Sequence, residues 1–198
     1  MNKNAPLLLL TALLAAVLLA GCSSPDASSA ADPPQSETES GSSEQGALSS
    51  FSADTLDGGT YTQEDLAARD LTVINFWGTF CGPCIAEMPD LAAFAKALPD
   101  NVELITVCVD AESDPDGAEA LLRQAGYEGV TLTGGDGDFL PLLQAVQAVP
   151  TTVFVDSQGN LVGEAIIGGG FDNFSEVFLE AVNAALEEGG KDAISLAE

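Results

Sequence analysis

Leu71-Thr72-Val73-Ile74-Asn75-Phe76-Trp77, followed four residues later by Cys81-Gly82-Pro83-Cys84, is the stretch whose reading decides the fold. The apolar run is a buried strand, and the segment after the cysteines reads as a helix with Ile85, Met88, Leu91, Ala92 and Ala95 on one face. A strand, a turn and a C-x-x-C at a helix start set two sulfurs within disulfide reach at a positive helix end. That arrangement implies thiol redox chemistry.

Downstream, the helix runs to about Leu98 with Pro89 as an expected kink, Val102 to Val109 is a second apolar strand, and Ala118 to Ala125 is a second helix. Asp138 to Val146 reads as a short helix. Thr151 to Val155 and Leu161 to Ile167 flank Asp156-Ser157-Gln158-Gly159-Asn160, a hairpin turn signal, and Asn173 to Glu188 is an amphipathic closing helix. Upstream, Phe51 to Leu56 reads as a short strand, and Thr62-Gln63-Glu64-Asp65 has the cap spacing that opens a short helix. A βαβ unit followed by a hairpin and a last helix predicts an α/β fold with a mixed central sheet and helices on both faces. There is no internal repeat.

The amino end has a different character. Met1 to Asn4 is a short basic start, Leu7 to Ala20 is an apolar run of about 14 residues, too short to span a membrane, and Leu19-Ala20-Gly21-Cys22 closes it. Residues 1–21 resemble a bacterial lipoprotein signal, a resemblance that implies a lipid on Cys22 as the mature amino terminus. A plain secretory leader and an uncleaved anchor share the small-residue pattern. Residues 22–50 are rich in Ser, Pro and acids and are expected to form a disordered tether with a reach of about 30 Å. The folded domain is then expected over 51–190, with a tail at 191–198.

Composition narrows the partners. Five Lys and Arg stand against 31 Asp and Glu, a formal net charge of −26, and no local basic patch is present, which argues against nucleic acid. The chain has no His and four Cys, so a zinc site lacks ligands, and no metal or separate cofactor is expected. A structural disulfide is the plainer alternative for Cys81 and Cys84, although closing so short a loop stabilises little.

The chemistry follows from position. Cys81, at the exposed edge of the helix start, is the candidate nucleophile, and Cys84, one turn deeper, is the candidate resolving thiol. Pro83 stiffens the first helical turn. Cys108, within Leu104 to Val109, packs as a small buried residue.

Trp77 to Cys84, then Glu87 and Pro89, then Val149-Pro150-Thr151-Thr152 before a hairpin, resemble the membrane-tethered thioredoxin-fold reductases of the TlpA and ResA type. The resemblance covers about Phe51 to Glu188. It departs at Gly78 and Phe80, where that family usually has Ala and Trp or Tyr. The likeness implies a redox-active Cys81–Cys84 disulfide, Glu87 as acid and base in place of the Asp that thioredoxin has where Asn75 stands, and a cis Val149–Pro150 bond facing the sulfurs. Glu87 read alone is a solvated carboxylate near a helix start, and Pro150 read alone is a strand-initiating proline. Substrate contact is expected from Trp77, Phe80, Gly82, Pro83, Val149, Pro150 and Thr151.

The likeness further implies an extracytoplasmic domain anchored to the bacterial membrane, protein disulfides as substrates and a membrane thiol donor of the DsbD or CcdA type. Gly-Pro between the cysteines is the dipeptide of reducing thioredoxin, at about −270 mV against about −120 mV for the oxidant DsbA. An oxidant or isomerase of the same fold, and a non-catalytic binding lipoprotein, are the alternatives. A thiol peroxidase needs Pro-x-x-x-Thr-x-x-Cys, and neither Cys81 nor Cys84 has that setting.

Overall fold

The computed structural model describes residues 48–197; the leader, Cys22 and the linker to residue 47 lie outside the described residues. Its elements are β1 (Ser52–Thr55), β2 (Thr60–Thr62), α1 (Gln63–Ala67), β3 (Leu71–Trp77), α2 (Gly82–Ala97), β4 (Val102–Cys108), α3 (Pro115–Ala125), β5 (Thr131–Gly135), α4 (Phe139–Ala145), β6 (Thr151–Asp156), β7 (Leu161–Ile167) and α5 (Phe174–Glu188). The seven strands lie in the order β2-β1-β5-β4-β3-β6-β7. Strands β3, β4 and β5 are parallel, while β6 lies antiparallel to β3, β7 to β6, β1 to β5 and β2 to β1. The fold is thioredoxin-like, as expected.

Central position explains why β3 is apolar apart from Thr72 and Asn75. All seven of its residues are buried, because both faces of the sheet are covered. Leu71, Val73 and Trp77 enter a core shared with α2, α3 and α5, whereas Ile74 and Phe76 enter a second core with Leu66 of α1 and Phe139 of α4. On the first face Phe174 and Phe178 of α5 stack at 4.0 Å, and Phe178 meets Phe94 of α2 edge-on at 5.7 Å. These rings brace α2, and hence the cysteines at its start, against the sheet.

Two strands escaped the sequence reading. Strand β2 is only three residues long, and β5 is Thr131-Leu132-Thr133-Gly134-Gly135, with a single large apolar side chain. At Gly135 a Cβ would stand 2.7 Å from the Phe139 ring and 3.1 Å from Ala53, so close packing, which local propensity does not record, sets that residue. Helix α3 begins three residues earlier than expected, since Asp114 caps it through the Gly117 amide and Pro115 fills the first turn. The capping box at Thr62 and Asp65 is present, and α2 continues through Pro89.

The folded part also extends past 51–190 at both ends. Leu48 is buried and its amide bonds to the Gly159 carbonyl at 2.9 Å, while the Asp138 carboxylate takes the amides of Ser49 and Ser50 and the Ser49 hydroxyl. Beyond α5, Asn183 exchanges two hydrogen bonds with the Ile194 backbone, Lys191 pairs with Asp70 at 2.6 Å, and the Ala197 amide reaches the Ala97 carbonyl. Ile194 and Leu196 pack on the first core. Residues 48–50, expected in the tether, and residues 191–197, expected as a tail, are thus held against the fold.

Leu48→Ala should destabilise the domain by about 2–3 kcal/mol, the usual cost of truncating a buried leucine, as read from urea unfolding. A linker residue would cost almost nothing.

Candidate active site

The cysteines stand where β3 ends. Gly78 and Cys81 close a turn through the Cys81 amide and the Gly78 carbonyl at 3.0 Å, and Cys81 is the N-cap of α2. Its Sγ accepts the Cys84 amide at 3.3 Å, and Pro83 occupies the first turn. The two sulfurs are joined at 2.04 Å. Cys81 is 6% exposed and Cys84 1%, so attack from solvent meets Cys81 first. In the reduced state the unpaired amides and the positive end of α2 favour its thiolate.

The loop before β6 faces the sulfurs. Val149–Pro150 is a cis bond, and the Val149 carbonyl oxygen lies 3.6 Å from Cys81 Sγ. Thr151 is buried and its hydroxyl donates to the Ala148 carbonyl at 2.9 Å, so it shapes this loop from behind. Beneath the loop, Asn75 donates to the Thr152 hydroxyl at 2.9 Å and offers no proton acceptor to the thiols.

The expected contact residues separate into two groups. Phe80, at 70% exposure, Gly82 and Pro83 lie on the surface, and Val149 is half-buried. Trp77 is fully buried, with no partner for Nε1 among the described residues, because the last residue of β3 still points into the first core. It shares that core with Cys81 and Cys84 and has no exposed surface of its own; Thr151 and Pro150 are buried as well. The departures at Gly78 and Phe80 are coupled, since a Cβ at 78 would stand 2.7 Å from the Phe80 ring. Glycine there lets the ring lie back against the turn.

Two carboxylates flank the site and are driven in opposite directions. Glu87, one helical turn past Cys84, is 6% exposed, and its Oε2 has no hydrogen-bond partner among the described residues. Burial pushes its pKa up to about 7, with Asp90 adding to the rise and the Gly170 amide opposing it. Asp110, just past β4, binds the Thr79 amide at 2.9 Å and the Thr79 hydroxyl at 2.5 Å. Burial pushes its carboxyl up, but the hydrogen bonds from Thr79 and Cys108 outweigh this and hold it below the ordinary value. Asp110 thereby ties down the turn that presents Phe80 and Cys81.

Asp110 did not figure in the sequence reading. An acid at the carboxyl end of a central strand, level with the cysteine turn, was the available signal. Cys108 donates to Asp110 at 3.3 Å and is buried, which together lift its thiol to about 12. That holds it as an inert thiol.

Residues 45–163 match the family model described as AhpC/TSA. The chain belongs to the AhpC/TSA family. Among curated relatives, this AhpC/TSA chain is 29% identical over 102 residues to the thiol:disulfide interchange protein HelX of Rhodobacter capsulatus, covering 52% of the chain and 55% of HelX. It is 30% identical over 114 residues to the thiol-disulfide oxidoreductase ResA of Bacillus anthracis, covering 57% of the chain and 63% of ResA. The chain thus spans a little over half to under two thirds of the length of these relatives. Its fold superposes on Bacillus subtilis StoA with a TM-score of 0.54 at 21% identity, over 69% of the chain and 98% of StoA. It also matches a secreted Mycobacterium tuberculosis disulfide oxidoreductase homologous to E. coli DsbE, at 24% identity and a TM-score of 0.52, over 66% and 94%.

The state of Glu87 should be visible in stability. Its folded pKa lies above the ordinary 4.5, so between about 4.5 and about 7 the folded AhpC/TSA domain holds a proton that the unfolded chain has released. Stability should therefore fall as pH rises through this window, by on the order of 2–3 kcal/mol. Glu87→Gln should lack that loss when urea unfolding at pH 5 and pH 8 is compared.

Proposed function

We propose that the chain is an extracytoplasmic thiol-disulfide oxidoreductase that reduces disulfides of secreted or membrane proteins. The observation that carries this reading is the Cys81–Cys84 disulfide at the start of α2, with the Val149 carbonyl 3.6 Å from Cys81 Sγ. A sulfur at a helix start is a stabilised thiolate, and the neighbouring backbone offers an edge to an extended segment around a substrate cysteine. The names of HelX and ResA describe the same chemistry in those relatives.

The reaction runs in two exchanges. The Cys81 thiolate attacks one sulfur of a substrate disulfide, forming the mixed disulfide and releasing the other sulfur as a thiolate. Cys84 then loses its proton to the Glu87 carboxylate and attacks the Cys81 sulfur, which closes the Cys81–Cys84 bond and frees the second substrate thiol. Each turnover leaves the protein oxidised by two electrons, so it must be recharged. A membrane thiol donor of the DsbD or CcdA type fits that need outside the cytosol, and Gly82-Pro83 fits the reducing direction.

The leader and Cys22 support attachment to the membrane through a lipid. Cys22→Ser should move the protein from the membrane fraction to the soluble fraction.

Reduced protein should accelerate the reduction of insulin disulfides, and Cys81→Ser should abolish this. Cys84→Ser should accumulate mixed disulfides, whose partners identify the substrates by mass spectrometry. Glu87→Gln should slow release of the mixed disulfide by roughly 100-fold near neutral pH, the scale of one lost general base. A reduced protein with no effect on insulin or on any trapped partner would leave a binding protein on the same fold.

A further inference from the structure

Gly168-Gly169-Gly170 follows β7 and turns the chain toward α5. Backbone conformation accounts for two of the three glycines, since φ is 92° at Gly168 and 83° at Gly170, in the left-handed region that side chains disfavour. Gly169 has no such requirement, since its φ lies outside that region. What a side chain at 169 would meet is Glu87. A Cβ placed there overlaps Glu87 Oε2, stands 2.8 Å from its Cδ, and approaches Pro150 Cγ at 3.1 Å. The loop is held against the proline, because the Gly168 amide donates to the Pro150 carbonyl at 2.9 Å.

We propose that Gly169 is a positioning residue whose missing side chain leaves the space in which the Glu87 carboxyl is held, under the Gly168–Gly170 loop and one helical turn from Cys84. The space admits the carboxyl and no partner for Oε2, so the acid is kept from water without being fixed by a counter-charge. Of the elements packed around it, α2 brings the Cys81 and Cys84 sulfurs and the Asp90 carboxylate. The Val149–Pro150 loop brings backbone and a proline ring. The β7–α5 loop brings glycine backbone, including the Gly170 amide whose hydrogen bond opposes burial without outweighing it, with Asp172 exposed beyond it. No cation stands in this set. The proton on Glu87 is therefore governed by exclusion from water, and Gly169 governs the exclusion.

An alanine at 169 displaces the carboxyl, which is the movable end of a flexible side chain, toward solvent. The raised proton affinity that burial gives Glu87 then relaxes. The effect on thiol exchange rests on the function proposed above; the effect on Glu87 does not.

The test follows the Glu87 carboxyl by carbon-detected NMR titration in the full chain and in Gly169→Ala, with Glu87→Gln to assign the signal. The pH dependence of insulin reduction is measured in parallel for Gly169→Ala, Glu87→Ala and the double variant. Gly169→Ala is expected to move the Glu87 midpoint from about 7 toward 4.5. It should shift the acidic limb of the rate profile the same way by about one unit or more, and should add nothing once Glu87 is alanine. A Glu87 midpoint still near 7 in Gly169→Ala, or an equal effect of Gly169→Ala with and without Glu87, overturns the proposal. If Gly169→Ala alone does not fold, recovery of folding in the double variant supports the clash with Glu87, and failure of both overturns it. A midpoint that moves in a chain reducing no disulfide upholds the positioning role and removes the redox reading.

Discussion

The hydrogen bond from the Cys84 amide to Cys81 Sγ is the contact on which the remainder of the site depends. It exists because Cys81 is the N-cap of α2, and Cys81 is the N-cap because β3 ends at Trp77 and a three-residue turn follows. Each neighbouring element maintains that placement. Phenylalanines of α5 brace α2, Asp110 ties Thr79, and the Val149–Pro150 loop closes over the sulfur. A helix end is a weak source of charge stabilisation, on the order of 0.3–1 kcal/mol at an exposed site, so its value lies in being held in one place.

The same region shows how burial treats acids according to their partners. Glu87 is buried and Asp110 half-buried, so both carboxylates lose some contact with water. Asp110 gains two donors from Thr79 and stays ionised as a fixed brace, while Glu87 gains no donor to Oε2 and keeps its proton until near neutrality. The contrast is one of hydrogen-bond supply, and it separates a structural carboxylate from one suited to moving a proton.

Much of this was legible in the sequence because it is local. A mostly apolar β3, the C-x-x-C at a helix start, the Thr62 capping box and the turn at Asp156 to Asn160 each record their structure within a few residues. What escaped depends on partners far along the chain. Strand β5 is a strand because β4 and β1 supply its hydrogen bonds, and Gly135 is set by Ala53 and Phe139. Asp110 meets a turn 31 residues away, and Gly169 meets Glu87 of α2, far back along the chain. The burial of Trp77 was hidden for a related reason: motif spacing puts it beside the cysteines, while strand alternation turns it into the core they share.

Leu48 fastens to Gly159, in the turn at the far end of β6 from Pro150, so the incoming chain joins the domain about six strand residues, or roughly 20 Å, from the sulfurs. A mechanical pull applied at Leu48 would thus be taken up by the β6–β7 turn. Load applied at Leu48 therefore enters the fold at the end of β6 remote from Cys81.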